Sequence, residues 1–499
     1  MHPPSTRRQP VRLALAATAL MALSAWAQAA DMPAPTPTQP CRLSGLPNEL
    51  QCGSVKRALD PAKPEGAQIE VHYVVLPALA RNKLPDPVLF LAGGPGQSSI
   101  NVASAVLSRF SRLNNRRDLV FVDQRGTGKS APLECPDPGR RPLAEMADND
   151  RQLKELEQCR DNLQKLPYGD LRFFTTTIAM QDVDAVRQAL GANQWNVIGG
   201  SYGTRAALEL QRQFPQTIRR LLIDGLAPPD MILPASFSTD TQAAGDALFD
   251  DCAKDAACSK AFPKLREQWA GLLKSVPRTV QVTHPVTGRP DHFVLSRRML
   301  LSALRGPLYN PAMASALPAA IAAAAEGRFE GLIGLSSGGT PRKGMGLAMG
   351  MHFSVVCAED VPRLSISTDK PGADFGDTDA QFYLSACKNW PRGSVPEAFY
   401  SIPKAPAPVL LMSGAIDPVT PPRHGEHVAK ALGDQALHVV VPATGHGVMA
   451  LACMRDVVFR FIDAKQDAEA LKTDTSCAAK IPRPTFFLPI PDAPREAQP

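Results

Sequence analysis

The hydrophobic residues of this chain fall into short runs that predict β-strands. The run at 87–91 and, after Asp118, the run at 118–122 are apolar, which is typical of central parallel strands covered on both faces. The segment 67–76 alternates in part between apolar and polar residues, as expected of a strand with one buried face. Further strands are predicted at 195–200, 218–225, 407–414 and 436–441.

Helical patterns stand between several of these runs. The segment 178–190 is amphipathic and is followed by Gly191, a helix stop signal. Similar segments begin at 205 and cover about 424–432. Strands that alternate with helices predict an α/β fold with a mostly parallel sheet and helices on both faces.

The alternation stops between 231 and 395. This stretch contains helix-like segments, one of them alanine-rich from Met313 to Glu326, without a repeat of strand and helix. We expect a mainly helical lid inserted into the sheet domain. Met345, Met349 and Met351 could line a hydrophobic pocket there, although packing in a core is the favoured interpretation.

The first 30 residues have the features of a secretory signal peptide. Three arginines precede the apolar run Leu13 to Trp26, and Ala27-Gln28-Ala29 fits a cleavage site. A run of about 14 apolar residues is too short for a bilayer core of roughly 30 Å, which argues against a membrane anchor. The expected organisation is a signal peptide (1–30), a linker (31–40), a sheet domain in two parts (41–230 and 396–480), the lid (231–395) and a proline-rich tail (481–499).

Composition and charge exclude several classes of function. With 44% hydrophobic and 20% charged residues, the chain can build a sizeable core. Loss of the signal peptide removes three arginines and no acidic residue, so the formal charge falls from +6 to +3. Charge therefore gives no support for binding to nucleic acid or to a membrane surface.

The ten cysteines all follow the predicted signal peptide, and an even number in an exported chain favours disulfides. A zinc site would need close Cys-x-x-Cys pairs or added histidines, which are missing, so no metal is expected. His424 and His427 lie three apart on a predicted helix, where an exposed helix face is favoured over a metal site. Spacing suggests that sequential neighbours pair, although the sequence leaves the connectivity open: Cys41 with Cys52, Cys135 with Cys159, Cys252 with Cys258, Cys357 with Cys387, and Cys453 with Cys477.

The strand at 195–200 runs into a Gly-x-Ser-x-Gly pattern centred on Ser201. A serine on a sharp turn between a strand and a helix is typical of the nucleophile of an α/β-hydrolase. A serine hydroxyl needs a neighbouring base, and that base needs a carboxylate to orient it. Asp417 and His446 follow later strands in the expected order of serine, acid and histidine. The alternative for Asp417 is an ordinary turn residue before proline.

Two other loops follow predicted strands. In Gly93-Gly94-Pro95-Gly96, the backbone N–H of Gly94 is expected to form an oxyanion hole with that of Tyr202, and a plain tight turn is the alternative. The segment ending in Gly128-Lys129-Ser130 looks like a P-loop. The pattern requires glycine five positions before Gly128, where the chain has Asp123, so nucleotide binding is disfavoured.

Together these motifs resemble the proline iminopeptidase and tripeptidyl aminopeptidase family of α/β-hydrolases over roughly 67–480. Proline iminopeptidases usually have histidine where this chain has Ala92, so the resemblance to that narrower group departs at this position. In members that act on peptide N-termini, carboxylates of the lid hold the free amine, which makes Glu359 and Asp360 candidates, with plain surface carboxylates as the alternative. The motifs are Ala92-Gly93-Gly94-Pro95-Gly96, Asp123-Gln124-Arg125-Gly126, Gly199-Gly200-Ser201-Tyr202-Gly203-Thr204, Asp224-Gly225, Asp417-Pro418-Val419-Thr420-Pro421 and Gly445-His446-Gly447.

The favoured hypothesis is an exported serine exopeptidase, periplasmic or secreted, that removes N-terminal residues or short peptides without a cofactor. A carboxylesterase or lipase would use the same Ser201, Asp417 and His446. A non-catalytic binding protein is disfavoured because all three positions are filled. The preferred substrate and the oligomeric state stay open.

Overall fold

The computed structural model describes residues 1–2, 38–136, 141–337 and 346–488. The predicted signal peptide from residue 3, the linker to residue 37, Met345 and the tail from residue 489 lie outside these ranges. The strands within them are β1 (Gln39–Cys41), β2 (Leu50–Ala58), β3 (Gln68–Leu76), β4 (Val88–Leu91), β5 (Leu119–Val122), β6 (Trp195–Gly200), β7 (Ile218–Asp224), β8 (Arg278–Thr283), β9 (Pro290–Leu295), β10 (Val409–Gly414) and β11 (Ala436–Val441).

Helices separate most of these strands. The α-helices of the described residues are α1 (Ser99–Phe110), α2 (Leu143–Ala147), α3 (Asn149–Leu163), α4 (Thr176–Ala189), α5 (Tyr202–Gln213), α6 (Leu233–Lys254), α7 (Ala256–Ala261), α8 (Leu265–Ser275), α9 (Arg297–Leu308), α10 (Pro311–Ala314), α11 (Leu317–Ala325), α12 (Glu330–Ser337), α13 (Met349–Glu359), α14 (Thr378–Cys387), α15 (Pro422–Leu432), α16 (Met454–Asp463) and α17 (Asp467–Ala470). None of them is both long enough and apolar enough to cross a membrane.

Nine strands of the described residues form one sheet in the order β1-β2-β3-β5-β4-β6-β7-β10-β11. The six strands from β5 to β11 in that order are parallel, and β1, β2 and β3 add an antiparallel edge. The predicted α/β fold with a mostly parallel sheet is confirmed. β1 and β2 were not predicted, because β2 is partly buried along most of its length and shows no alternation.

The central strands bury side chains on both faces of the sheet. In β6, Val197 lies in the hydrophobic cluster on one face and Ile198 in the cluster on the other. Leu221 and Leu222 of β7 divide in the same way. Successive side chains of a strand point to opposite faces, so continuous apolar runs require helices on both sides.

The residues between β7 and β10, called the insert below, are mainly helical, as predicted. They also contain the hairpin of β8 and β9, which was not predicted. The alanine-rich segment forms two helices, α10 and α11, and each begins beside a proline, Pro311 and Pro318. Proline favours the first turn of a helix, so the second proline marks a new start.

The insert has two parts that pack differently. Residues such as Trp269, Phe293 and Leu304 of the insert form a separate hydrophobic cluster, which Leu143 and Phe486 join from outside the insert. The helix α13 packs instead into the core of the sheet domain, where Met351 is 1% exposed. The interpretation of Met351 as a core residue is thereby confirmed.

The five disulfides are the five predicted sequential pairs. One of them, between Cys357 and Cys387, joins the end of α13 to the end of α14. The start of the predicted tail is also fixed, since Phe486 is buried in the cluster of the insert and the N–H of Phe487 donates to the carbonyl of Ser315 at 3.0 Å.

Candidate active site

Ser201 occupies the turn between β6 and α5. Its backbone has φ +56° and ψ −127°, a conformation that costs a residue with a Cβ about 1–3 kcal/mol. The flanking glycines allow this turn. A Cβ on Gly199 would lie 2.3 Å from the carbonyl oxygen of Gly203, and a Cβ on Gly203 would lie 2.3 Å from the carbonyl oxygen of Leu91.

Asp417 and His446 follow β10 and β11 and contact each other. Oδ2 of Asp417 lies 2.7 Å from Nδ1 of His446. The buried carboxylate also accepts the N–H groups of Val419 and Thr420 at 2.9 Å and the Thr420 hydroxyl at 2.8 Å. A carboxylate held in this way can keep the imidazole proton on Nδ1 and leave Nε2 to act as a base.

The ionisation of this pair reflects mutual stabilisation. Burial acts to raise the pKa of Asp417, but His446 and the hydrogen bonds to the carboxylate hold that pKa below its ordinary value. Burial acts to lower the pKa of His446, but Asp417, helped by Asp224, raises it above its ordinary value. The imidazolium that forms when His446 accepts a proton is therefore stabilised in place.

A second carboxylate, Asp224 at the end of β7, holds the loop that carries His446. It accepts the N–H of Val448 at 2.8 and 3.0 Å and that of Met449 at 2.8 Å. Its own carbonyl accepts the N–H of Ser201 at 2.9 Å. Burial raises the pKa of Asp224 to about 6. The sequence placed Asp224 in a motif without a role, and its position at a strand end was the available signal.

Ser201 and His446 lie on adjacent loops. Between them Gly225 has φ +66°, and a Cβ there would lie 3.0 Å from Cε1 of His446. In the described part of the chain no hydrogen bond joins the Ser201 hydroxyl to His446. Hydrogen bonds between catalytic groups are often long or poorly aligned without substrate. The lack of a hydrogen bond between Ser201 and His446 is therefore compatible with catalysis.

The loop of residues 93–97, called the oxyanion loop below, lies against the serine. A Cβ on Gly93 would be 3.1 Å from Cβ of Ser201 and 3.6 Å from its hydroxyl oxygen. Gly94 follows with φ +113°. Tyr202 is the first residue of α5, where a backbone N–H has no partner within the helix. The oxyanion-hole role of Gly94 and Tyr202 stays a prediction.

The structure corrects the assignment of Glu359 and Asp360 to a substrate amine. Both side chains are fully buried beside Arg205. The two oxygens of Asp360 accept from the Arg205 guanidinium at 3.0 and 3.1 Å, and Oδ1 also accepts the N–H of Leu233 at 3.0 Å. Glu359 accepts the N–H and the hydroxyl of Thr176 at 2.7 and 2.9 Å. Because these oxygens are already bonded and shielded from solvent, we do not retain the two residues as an amine site.

The segment that looks like a P-loop folds around its own carboxylate. Asp123 accepts the Ser98 hydroxyl at 2.6 Å and the N–H groups of Ile100 and Lys129 at 3.1 and 3.3 Å. A Cβ on Gly128 would lie 1.9 Å from an oxygen of Asp123. The carboxylate thus occupies the space that a phosphate would need, which argues against nucleotide binding.

The two histidines of α15 differ in their surroundings. His424 is buried, and its Nε2 lies 2.8 Å from the carboxylate of Asp240, so the prediction of an exposed face is wrong for this residue. His427 is exposed, and its Nε2 lies 2.7 Å from Asp230. Among the described residues no group of three or more histidine, cysteine or acidic side chains could hold a metal ion.

Several known proteins are similar to this chain. The tripeptidyl aminopeptidase of Streptomyces coelicolor is 31% identical over 196 residues, and this match covers 37% of the chain and only 36% of that protein's length. The serine protease Hip1 of Mycobacterium tuberculosis is 24% identical over 438 residues, covering 80% of this chain and 83% of that protein. The carboxylesterase B of the same species is 27% identical over 420 residues, covering 77% and 78%.

A solved structure of a proline iminopeptidase from Mycobacterium smegmatis covers 85% of this chain and 100% of its own, with 18% identity and a TM-score of 0.37. The model of the α/β hydrolase fold family matches residues 86–451, well over half of the 499 residues. This range spans every strand end described above. The chain therefore belongs to the α/β hydrolase fold family.

Proposed function

We propose that this protein is an exported serine exopeptidase that removes N-terminal residues or short peptides. Ser201 is the nucleophile, His446 the general base and Asp417 the residue that orients it. The observation that carries the proposal is the 2.7 Å contact between Asp417 and His446 on loops next to the strained turn of Ser201.

The reaction follows from these positions. Nε2 of His446 takes the hydroxyl proton as Ser201 Oγ bonds to the substrate carbonyl carbon, and the oxyanion is held by the N–H groups of Gly94 and Tyr202. The imidazolium returns the proton to the leaving amine as the C–N bond breaks, which leaves an acyl-enzyme. A water molecule then attacks the acyl carbon and gives its proton to His446. The imidazolium passes this proton to Oγ of Ser201 as the bond between the acyl carbon and Oγ breaks, which releases the acid and restores the serine.

The peptidase assignment is supported by relatives. Hip1 is a serine protease by name, and its match extends over most of both chains. The tripeptidyl aminopeptidase is more similar, but over about a third of its length. Five disulfides support export, because such bonds persist in oxidising compartments.

The second candidate is a carboxylesterase. Carboxylesterase B matches this chain over a length similar to that of Hip1 and with slightly higher identity. An esterase needs the same nucleophile, base and oxyanion donors, so the catalytic residues do not separate the two reactions.

A panel of substrates separates the two candidates. Aminoacyl and tripeptidyl anilides, each with a free and with a blocked N-terminus, are compared with acyl esters of matched chain length. An exopeptidase turns over the free amines at least tenfold faster than the blocked ones. Turnover of the esters alone would replace the peptidase proposal by the esterase one.

A further inference from the structure

The insert reaches the oxyanion loop through the start of α13. The N–H of Ala348, which precedes α13, donates to the carbonyl of Gly96 at 2.9 Å. One helical turn later, Nδ1 of His352 lies 3.2 Å from the carbonyl oxygen of Pro95. Two consecutive carbonyl groups of the oxyanion loop are therefore held by residues one turn apart.

The direction of these hydrogen bonds is fixed. Burial lowers the pKa of His352 to about 4, although the Pro95 carbonyl and Asp360 act against this, so the ring is neutral near pH 7. A neutral imidazole has one N–H, and a carbonyl oxygen can only accept. The proton therefore lies on Nδ1, and Nε2 accepts from the Tyr383 hydroxyl at 2.9 Å.

The side chains around His352 are closely packed and cross-linked by a disulfide. The rings of Phe353 and Tyr383 lie 5.7 Å apart, and Trp390 packs against Phe353 at 5.4 Å between centroids. The disulfide between Cys357 and Cys387 joins α13 to α14 within five residues of His352 and four of Tyr383. Movement of the imidazole would require this packed group to move with it.

We propose that His352 is a positioning residue for the oxyanion hole. It holds the oxyanion loop by its hydrogen bond to Pro95, which directly follows Gly94, and the side chains that fix His352 belong to the insert. The inference rests on the proposed function, because the hole matters only when Ser201 attacks a carbonyl. The active site is then completed by the insert, and the sheet domain alone does not fix all of its donors.

Two substitutions of His352 by residues with an amide distinguish the contribution of Nδ1 from that of Nε2. The amide nitrogen of asparagine lies as far from Cβ as Nδ1, so His352→Asn keeps the donor to Pro95. The amide of glutamine reaches the position of Nε2, so His352→Gln keeps the contact with Tyr383 and loses the one with Pro95. We expect kcat of His352→Gln to fall about 10- to 100-fold, short of the 10²- to 10³-fold that removal of an oxyanion donor costs. His352→Asn should stay within about threefold of wild type, since the donor to Pro95 is retained.

The readout must distinguish positioning from general damage. KM for the best substrate of the panel should change little, while Ki of a peptide boronate, whose adduct places an oxygen in the hole, should rise in parallel with the fall in kcat. His284 provides the matched control, because it is also a buried histidine of the insert whose Nε2 lies 3.0 Å from a backbone carbonyl, that of Arg141. His284→Asn loses this carbonyl contact, because the amide of asparagine does not reach the position of Nε2, and it should leave kcat and Ki unchanged.

The outcomes are distinct. Equal kcat in His352→Gln and wild type would overturn the inference, as would a loss that His352→Asn shares. A loss of kcat with unchanged boronate Ki would also overturn it. Failure of the proposed exopeptidase function has a different signature, a wild-type protein that hydrolyses esters but not amides, and the His352 variants are then compared on the ester. A wild-type protein that hydrolyses neither amides nor esters would overturn both claims.

Discussion

Two groups of buried carboxylates lie near the turn of Ser201, and each pairs with a different kind of base. Asp417 pairs with His446, whose side chain is 14% exposed and whose Nε2 has no hydrogen-bond partner within the described residues. Glu359 and Asp360 pair with Arg205, and all three side chains are 0% exposed. The first group keeps one basic atom available to a substrate, whereas the second keeps its charges in the core.

The difference lies in the cation. An imidazole can release and accept a proton near neutral pH, whereas a guanidinium stays charged. Burial works against the charge of Arg205, but the two carboxylates hold its pKa above its ordinary value. The same pairing of acid and base therefore supports catalysis around His446 and stability around Arg205.

The largest expected effect is that of Ser201→Ala. Removal of the nucleophile should lower kcat by about 10⁶-fold, as in other serine hydrolases that lose a member of the triad. The midpoint of thermal unfolding should stay the same or rise, because alanine keeps the backbone and removes only a hydroxyl. Steady-state assays on the best panel substrate give the first number, and calorimetry gives the second. If this variant kept its activity, Ser201 would not be the nucleophile, and the catalytic role of the group around His446 would be wrong.

Asp417→Asn should have the next largest effect. The amide can no longer hold the Nδ1 proton of His446 or stabilise the imidazolium, so we expect kcat to fall about 10⁴-fold. Asp230→Asn is the control, because Asp230 pairs with the exposed His427 and should leave kcat unchanged. If both variants lost activity equally, the role assigned to Asp417 would be wrong.

These two groups also show which parts of the site could be predicted from the sequence and which could not. Asp417 and His446 each follow an apolar run that predicts a strand, so their place at one edge of a parallel sheet could be inferred from local patterns. Glu359 and Asp360 meet Arg205 across about 155 positions of sequence, and nothing in the local pattern of α5 indicates a buried guanidinium. The sequence, through the family resemblance, consequently offered these residues as a substrate site, with surface carboxylates as the alternative, where the core has an ion pair.

The same limit applies to the insert. His352 contacts Pro95 across 257 positions, and the apolar run around it indicates only a buried helix. Strand β2, which lies next to the edge strand β1, was missed because most of its residues are partly exposed and show no alternation. The hairpin of β8 and β9 was missed because the alternation of β8 extends over only a few residues of a mainly helical region. Elements with continuous apolar runs were predictable, and contacts that depend on tertiary packing were not.

Arg205→Met tests the structural side of the comparison. It leaves Glu359 and Asp360 buried without their cation, so we expect unfolding in urea to become easier by about 3–5 kcal/mol. Arg266→Met is the matched control, since Arg266 pairs with Asp246 and Asp250 on the surface and should cost at most about 1 kcal/mol. At temperatures well below the unfolding midpoint, kcat of folded Arg205→Met should stay within a few-fold of wild type. If Arg205→Met lost kcat but kept the stability of the wild type, the group of Arg205, Glu359 and Asp360 would have a catalytic role instead of a structural one.

The smallest expected effect concerns pH. His446 must be neutral to accept the serine proton, and its pKa is raised, so kcat/KM should fall as the pH drops through a value above about 6.5. Because the folded pKa is raised, stabilisation from the protonated ring is complete below about pH 6.5 and is lost as the pH rises through the folded value. Asp224 adds to the rise in the pKa of His446, so Asp224→Asn should move the acid limb of the profile to lower pH.

Asp230→Asn again provides the control and should leave the acid limb in place, because Asp230 pairs with the exposed His427 of α15, whereas the carboxylates that raise the pKa of His446 are Asp417 and Asp224. A fall in kcat for Asp224→Asn without any shift of the limb would mean that Asp224 acts only by holding the N–H groups of Val448 and Met449. A shift of the limb without a fall in kcat would mean that it acts only through its charge. Asp224 both accepts the two N–H groups and raises the pKa of His446, so we expect kcat to fall and the acid limb to shift in the same variant. Asp224 would then combine a structural role, holding the loop of His446, with a catalytic one, tuning its pKa.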